Sequence, residues 1–338
     1  MKESAKIAIV GATGLVGREI LAVLDQRLFP LEELRLYASL KSAGDVLECG
    51  GMTRRVELLD TASFDDVDIV FLCAGDEVSA EVGEKAAAVA GVVIDTSSLF
   101  AGEEDVPVVV PEVNASDLAR YSERGIVVSP VAPAIAMAVV LQPLRETAGL
   151  RRVVATTFEP VSGAGQSGIE ELQRQTIDLL SGRSTENTRF EQRIAFNLFP
   201  QVGELLEGGS SRGEQLVVQA VQRVLDAPEL SISITRVRVP LFFGAAIALN
   251  VEVDQQLAVA GFREILRAAP GLLVEDELSE GSYPTPAAAV SEDAISVGRI
   301  RTDAESNTVD FWIASDNLRK GSAVNAVQIA EILLREHL

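Results

Sequence analysis

The chain has 338 residues, 47% of them hydrophobic, and carries 50 acidic against 29 basic side chains for a formal net charge of −21. That length accommodates two domains, and the charge repels phosphate backbones and anionic headgroups, which excludes nucleic acid and membrane surfaces as expected partners. Two cysteines, Cys49 and Cys73, and a single histidine, His337, leave no disulfide framework, no Cys- or His-based metal centre and no Ser-His-Asp triad.

The first residues pass straight into a strand without an apolar leader region. No run reaches the ~18 apolar residues of a membrane span. The expectation is a soluble, reduced, cytoplasmic protein.

Lys6-Ile-Ala-Ile-Val10 is a short apolar run suited to a parallel strand buried on both faces. Gly11-Ala-Thr-Gly-Leu-Val-Gly17 follows at once, and Arg18 to Leu24 continues at helical spacing. Strand, glycine turn and helix form the dinucleotide-binding fingerprint in its Gly-x-x-Gly-x-x-Gly variant. Gly11 permits the tight turn, Gly14 lets backbone approach a pyrophosphate, and Gly17 allows the helix to pack closely. The anion then sits on the N–H groups at the helix start.

A second strand, Glu33 to Ala38, leads into Ser39-Leu-Lys-Ser42. An acid here would bind the ribose 2′-OH of NAD; two hydroxyls and Lys41 suit the 2′-phosphate of NADP better. Asp68 to Gly75 is another strand, followed by an Ala-rich helix over Val78 to Ala90. Cys73, where a nucleotide would pass, reads as a small packing residue. Gly91 to Ser98 and Val106 to Pro111 read as further strands. Alternating strand and helix through about residue 130 predicts a doubly wound parallel sheet.

The stretch Ser129-Pro-Val-Ala-Pro-Ala-Ile-Ala-Met137 opens a buried helix over 135–147. A thiol at such a helix N-terminus would ionise easily, but Val131, Ala132 and Pro133 supply no nucleophile. Beyond it, Arg152 to Phe158, Glu229 to Val239, Gly244 to Val253 and Thr308 to Ala314 alternate partially. They predict a mixed or antiparallel sheet with helices such as 167–181 and 213–226 on one face. Glu207 to Gly213 reads as a flexible loop, and Leu318 to Leu338 as an amphipathic helix returning to the first domain.

Over nearly its whole length the chain resembles the aspartate-β-semialdehyde dehydrogenase family. The matching motifs include Gly11 to Gly17, Val110-Pro-Glu-Val-Asn114, Val161-Ser-Gly-Ala-Gly165, Ile194-Ala-Phe-Asn197, Val237-Arg-Val-Pro240, Tyr283-Pro-Thr-Pro286, Val297 to Arg301 and Asp316-Asn-Leu-Arg-Lys-Gly321. The resemblance implies an α/β protein with a Rossmann-type NADP-binding domain, residues 1–130 and 316–338, and an α+β dimerisation and substrate domain with a mixed sheet, residues 131–315. It implies a homodimer and nucleotide contacts at Gly11, Thr13, Gly14, Leu15, Val16, Ser39, Lys41, Ser42, Cys73, Ala74, Gly75, Ser162, Gly163 and Asn317.

The family's reaction is reductive dephosphorylation of aspartyl phosphate, through a cysteine thioester and a hydride from NADPH. Its nucleophile position falls at Ala132 and its histidine acid/base at Ala245. Its phosphate-binding arginine and lysine fall at Ala101 and Leu216. Two substrate positions stay polar: Arg238 matches the carboxylate-gripping arginine, and Glu159 replaces a glutamine. Glu159 and Arg238 are expected to pair. The chain is most similar to catalytically incomplete, Usg-type members. Three functions follow as expectations: a non-catalytic NADP-binding homologue, an NADP-dependent oxidoreductase on a different carbonyl with Glu159 as acid, or a regulatory subunit pairing with an active dehydrogenase.

Overall fold

A computed structural model describes residues 2–255, 257–277, 279, 281–303 and 307–338, and of Met52 the backbone alone. The chain divides into two units, Met1–Val131 with Ser322–Leu338, and Ala132–Gly321.

The first unit is built on seven strands: β1 (Ala5–Val10), β2 (Leu31–Ala38), β3 (Val46–Cys49), β4 (Met52–Leu58), β5 (Ile69–Leu72), β6 (Val92–Asp95) and β7 (Ile126–Val128). Their order is β3-β4-β2-β1-β5-β6-β7. All pairings are parallel except that of β3 with β4. Ile7 to Val10 are fully buried, as a strand covered on both faces requires. Helix α1 (Leu15–Gln26) follows β1, α2 (Asp76–Ala87) follows β5, and the single turn α3 (Pro111–Asn114) precedes β7. Helix α8 (Asn325–Glu336) completes the unit; its Val327, Ile329, Ala330 and Leu333 join the core formed by Ile7, Ile9, Ile20 and Leu24. The chain leaves β1 toward β2 on one side and β5 on the other, the strand-order reversal at which doubly wound sheets bind ligands.

Two expectations for this unit need correction, and one element is additional. Val106 to Pro111 is not a strand. It touches the sheet through one bridge, Val108 with Val128, because Pro107 and Pro111 have no N–H to give a ladder. The β3–β4 hairpin is the additional element; Gly50 and Gly51, at φ of 61° and 68°, make its two-residue turn. Residues 316–321 belong to the second unit, where the Asp316 carboxylate accepts the Ser291, Leu318 and Arg319 N–H groups.

The second unit begins with α4 (Ala132–Ala148), in which every residue from Ile135 to Leu141 is buried. Strand β8 (Arg152–Glu159), helices α5 (Gln166–Leu180) and α6 (Arg212–Val224), strands β9 (Ser231–Arg238) and β10 (Ala245–Glu252), helix α7 (Val259–Ala268), and strands β11 (Leu272–Val274), β12 (Ile295–Asp303) and β13 (Thr308–Ser315) follow. The six strands run in the order β11-β12-β13-β10-β8-β9. The sheet is mixed: β8 with β9 and β11 with β12 are parallel, the rest antiparallel. Helices α4, α6 and α7 pack together, with α6 on β9 and α7 on β11 and β12. Helix α5 instead forms a satellite core, Leu172 with Val161, Ile194 and Ala195. On the other sheet face Val154, Thr156, Phe158, Ala248 and Trp312 remain half-buried, the Phe158 and Trp312 rings 5.6 Å apart. The predicted loop 207–213 ends in a helix cap, because Ser211 and Glu214 exchange the reciprocal bonds of a capping box on α6.

Candidate functional site

In the first unit the ends of β1, β2 and β5 meet at the glycine turn. The Gly11 N–H donates to Tyr37 O and the Cys73 N–H to Val10 O, at 2.9 and 3.0 Å. Gly11 holds φ of +88°, and a Cβ there would lie 2.9 Å from Cys73 O and 3.0 Å from Ala74. Only glycine meets both demands. Gly14 is the N-cap of α1 and has no side chain to cap it, which leaves the first-turn N–H groups of Leu15 and Val16 for an anion. Thr13 is half-buried, its carbonyl accepting Arg18 Nε at 3.0 Å. Ser39 O accepts the N–H groups of Ser42 and Ala43, each at 3.0 Å, in a turn that exposes Ser39 and Lys41. Ala74 and Gly75 are exposed before α2. This constellation fits a dinucleotide pyrophosphate.

The half-buried Cys73 donates its thiol proton to Val10 O at 3.0 Å, and burial, reinforced by the Asp95 carboxylate, pushes its pKa up to about 12, which disfavours the thiolate. Burial also raises Cys49, with Asp25 adding to the effect. His337 lies in the first unit, its ring 5.6 Å from that of Tyr121. Among the described residues no group of three or more His, Cys, Asp or Glu side chains is placed to hold a metal ion.

In the second unit Ala132 is the first residue of α4, packed so that a Cβ on Gly321 would lie 2.5 Å from its methyl carbon. Ala245 opens β10 directly after Gly244 and is buried. The Gly244 N–H donates to Asn317 Oδ1 at 3.2 Å, and Asn317 Nδ2 donates to Ser162 Oγ at 3.1 Å. Ser162 and Asn317 are therefore joined beside the backbone that leads to Ala245. Gly163 adjoins Arg238: a Cβ there would lie 2.6 Å from Nη1. Ala101 is buried in the turn Leu99–Gly102 of the first unit, and Leu216 is half-buried on α6.

The expected pairing of Glu159 with Arg238 is not what the structure holds. Arg236 Nε and Nη2 each donate to the Glu159 carboxylate at 2.6 Å, a bidentate fork with both residues 7% exposed. Thr157 Oγ1 adds a bond at 2.8 Å. Burial alone would raise the Glu159 pKa, but the charge and hydrogen bonds of Arg236, with Arg238 and Thr157, outweigh it and hold the carboxyl below its ordinary range. Arg238 donates through Nη1 to Pro160 O at 2.5 Å. Its pKa is lowered, by burial first and by Arg236 and Arg189 as neighbouring cations, against the opposing charge of Glu159. Arg236 is the site residue sequence reasoning missed. The signal was present in period-two alternation, which puts residues 236 and 238 on one face of β9.

Family models match the two units in turn: "Semialdehyde dehydrogenase, NAD binding domain" over residues 6–121 and "Semialdehyde dehydrogenase, dimerisation domain" over residues 141–320. The aspartate-semialdehyde dehydrogenase of Rickettsia conorii is 40% identical, with both chains covered in full. That of Aquifex aeolicus is also 40% identical, over 98% of this chain and 99% of its own. The chain belongs to the aspartate-semialdehyde dehydrogenase family. Among solved members, aspartate semialdehyde dehydrogenase II of Vibrio cholerae complexed with ASA superposes with a TM-score of 0.96 at 37% identity, covering all of both chains. The fold is accordingly the family's two-domain α/β arrangement, an NAD(P)-binding domain and a dimerisation domain with a mixed sheet.

Proposed function

We propose that this family member is a Usg-type homologue that binds NADP(H) and a small carboxylate ligand but does not perform the family's acyl-enzyme reaction. The observation that carries the reading is Ala132 at the N-terminus of α4, where helix geometry would activate a thiol and the side chain is a methyl group. Ala245 on β10 offers no proton carrier. Ala101 and Leu216 offer no charge to a phosphate. Loss of nucleophile, acid/base and phosphate ligands together leaves no route to a thioester.

The nucleotide reading rests on the glycine turn, the uncapped start of α1 and the Ser39–Ser42 turn, with Lys41 beside a 2′-phosphate. NADP(H), held by these residues, would bring a hydride donor or acceptor. Arg238 anchors the ligand carboxylate. Glu159 is poorly suited to act as acid toward another carbonyl, because the Arg236 fork favours its ionised form. A homodimer formed through the half-buried sheet face around Phe158 and Trp312 accords with the dimerisation-domain match.

Intact-mass measurement after incubation with aspartate semialdehyde and NADP tests the chemistry: an unshifted mass is expected, and an acyl adduct on any side chain contradicts the proposal. Calorimetric titration with NADPH and NADH tests the cofactor; tighter binding of NADPH is expected, and binding of neither removes the nucleotide half of the reading.

A further inference from the structure

Strands β8 and β9 are parallel, with Thr157 beside Arg236 and Glu159 beside Arg238. Alternation along each strand puts all four side chains on the same sheet face. Register alone would give Glu159 to Arg238. Instead the carboxylate folds back over Thr157 into the Arg236 fork, both contacts at 2.6 Å. The remaining nitrogen of that fork, Nη1, donates to Gly213 O at 3.1 Å. All three side-chain nitrogens of Arg236 are thus hydrogen-bonded.

Arg238 differs. A guanidinium carries five N–H donors, and among the described residues this one makes a single hydrogen bond, to Pro160 O, while only 6% exposed. Arg189 adds a further positive charge to its surroundings. The α5 side chains Glu171 and Gln175 fasten the segment that carries Arg189: Glu171 accepts from the Thr188 and Arg189 N–H groups, and Gln175 Oε1 from those of Ile194 and Ala195. Of the carboxylates here, Glu171 and Glu214 accept from the backbone N–H groups of Arg189 and Arg236, and Glu159, the strand neighbour of Arg238, is held in the Arg236 fork.

We infer that Arg236 is a positioning residue: by holding Glu159 in its fork it keeps that carboxylate off Arg238, so the Arg238 guanidinium stays open to the carboxylate of a small organic acid. The inference rests on the reading of Arg238 as the ligand anchor. Without Arg236, Glu159 has Arg238 as its strand-to-strand neighbour and closes the site with the protein's own carboxylate. The protein therefore carries, beside Arg238, a competitor for the ligand, and one arginine keeps it aside.

The experiment is calorimetric titration of the full-length protein with succinate, with succinamide as the uncharged control. Wild type is expected to bind succinate and not succinamide. Arg236→Met is expected to weaken succinate by at least about 10-fold, and Arg236→Met with Glu159→Gln to return it to within about 3-fold of wild type. Removing the charge of Glu159 would also relieve a purely structural defect, so the discriminating readout is where Glu159 sits in the single variant; a Glu159 carboxylate lying away from Arg238 there overturns the inference. A crystal structure of Arg236→Met should show Glu159 in salt-bridge contact with Arg238. Should that variant not fold, Arg236→Lys, which offers Glu159 a single point of attachment, takes its place with the same direction and the same rescue. Absence of succinate binding in wild type, unchanged affinity in Arg236→Met, or a double variant no tighter than the single one overturns the inference. Absence of succinate binding in wild type strikes the reading of Arg238 as the ligand anchor and this inference with it, while unchanged affinity in Arg236→Met strikes this inference alone.

Discussion

Replacing Glu159 by Gln keeps the shape of the side chain and removes its charge. In the native protein both carboxylate oxygens accept from Arg236 at 2.6 Å, and one also accepts from Thr157. An amide has one acceptor oxygen, so its NH2 group would face an Arg236 donor. Arg236 and Arg238 would then share one buried face without a counter-charge. Breaking a buried pair from one side costs about 3–5 kcal/mol. With a urea m-value of about 2 kcal/mol/M, the midpoint should fall by roughly 1.5–2.5 M. The single tryptophan, Trp312 on β13, provides a fluorescence signal from the second unit. Glu159→Leu with Arg236→Met should recover most of the loss, since an apolar pair of similar volume removes both charges. The effect has a sign in pH. Because the folded carboxyl lies below its ordinary value of 4.5, its contribution is complete above that pH and is lost as pH falls through the folded value. The gap between wild type and Glu159→Gln should therefore be constant near neutrality and close in acid. A Glu159→Gln midpoint within 0.3 M of wild type, roughly half a kcal/mol by the same m-value, would refute the reasoning.

Four further outcomes are expected. Both thiols should be nearly silent toward an aromatic disulfide in the native state and titrate fully in urea; with Cys73 near 12, its thiolate fraction at pH 8 is roughly a thousandfold below that of an ordinary thiol. Rapid native labelling would contradict the burial argument. Gly11→Ala should abolish NADPH binding in calorimetry, because a methyl group there collides with Cys73 O and Ala74 at an unfavourable φ. Phe158→Asp should shift sedimentation from dimer to monomer by charging the open sheet face; an unchanged dimer would move the interface elsewhere. Ala132→Cys should yield a thiol that alkylates readily at the start of α4, yet no turnover, since Ala245 still has no imidazole.

What could be read from the chain was mostly local. Val10 and Gly11 to Gly17 specify strand, turn and helix within one short stretch, and the buried run Ile135 to Leu141 announces α4 by its composition. The β3–β4 hairpin escaped notice although Gly50-Gly51 is a strong two-residue turn, because its strands have four and seven residues and carry charge. Val106 to Pro111 misled in the opposite sense: its valines suit a strand, while its prolines cannot donate to one. The Glu159 pairing failed for a different reason. Both arginines of Thr235-Arg-Val-Arg238 share a face, and which one captures the carboxylate depends on how the Glu159 side chain folds back over Thr157. That is a tertiary fact with no local signal.

On the function proposed here, Ala132 leaves the scaffold without a nucleophile for the family reaction. Nicotinamide absorbance of the purified wild-type protein with aspartate semialdehyde, phosphate and NADP tests it most directly. No reduction of NADP is expected at any protein concentration. Reduction that scales with protein and disappears in Gly11→Ala would show that catalysis survives the loss of sulfur and imidazole at positions 132 and 245.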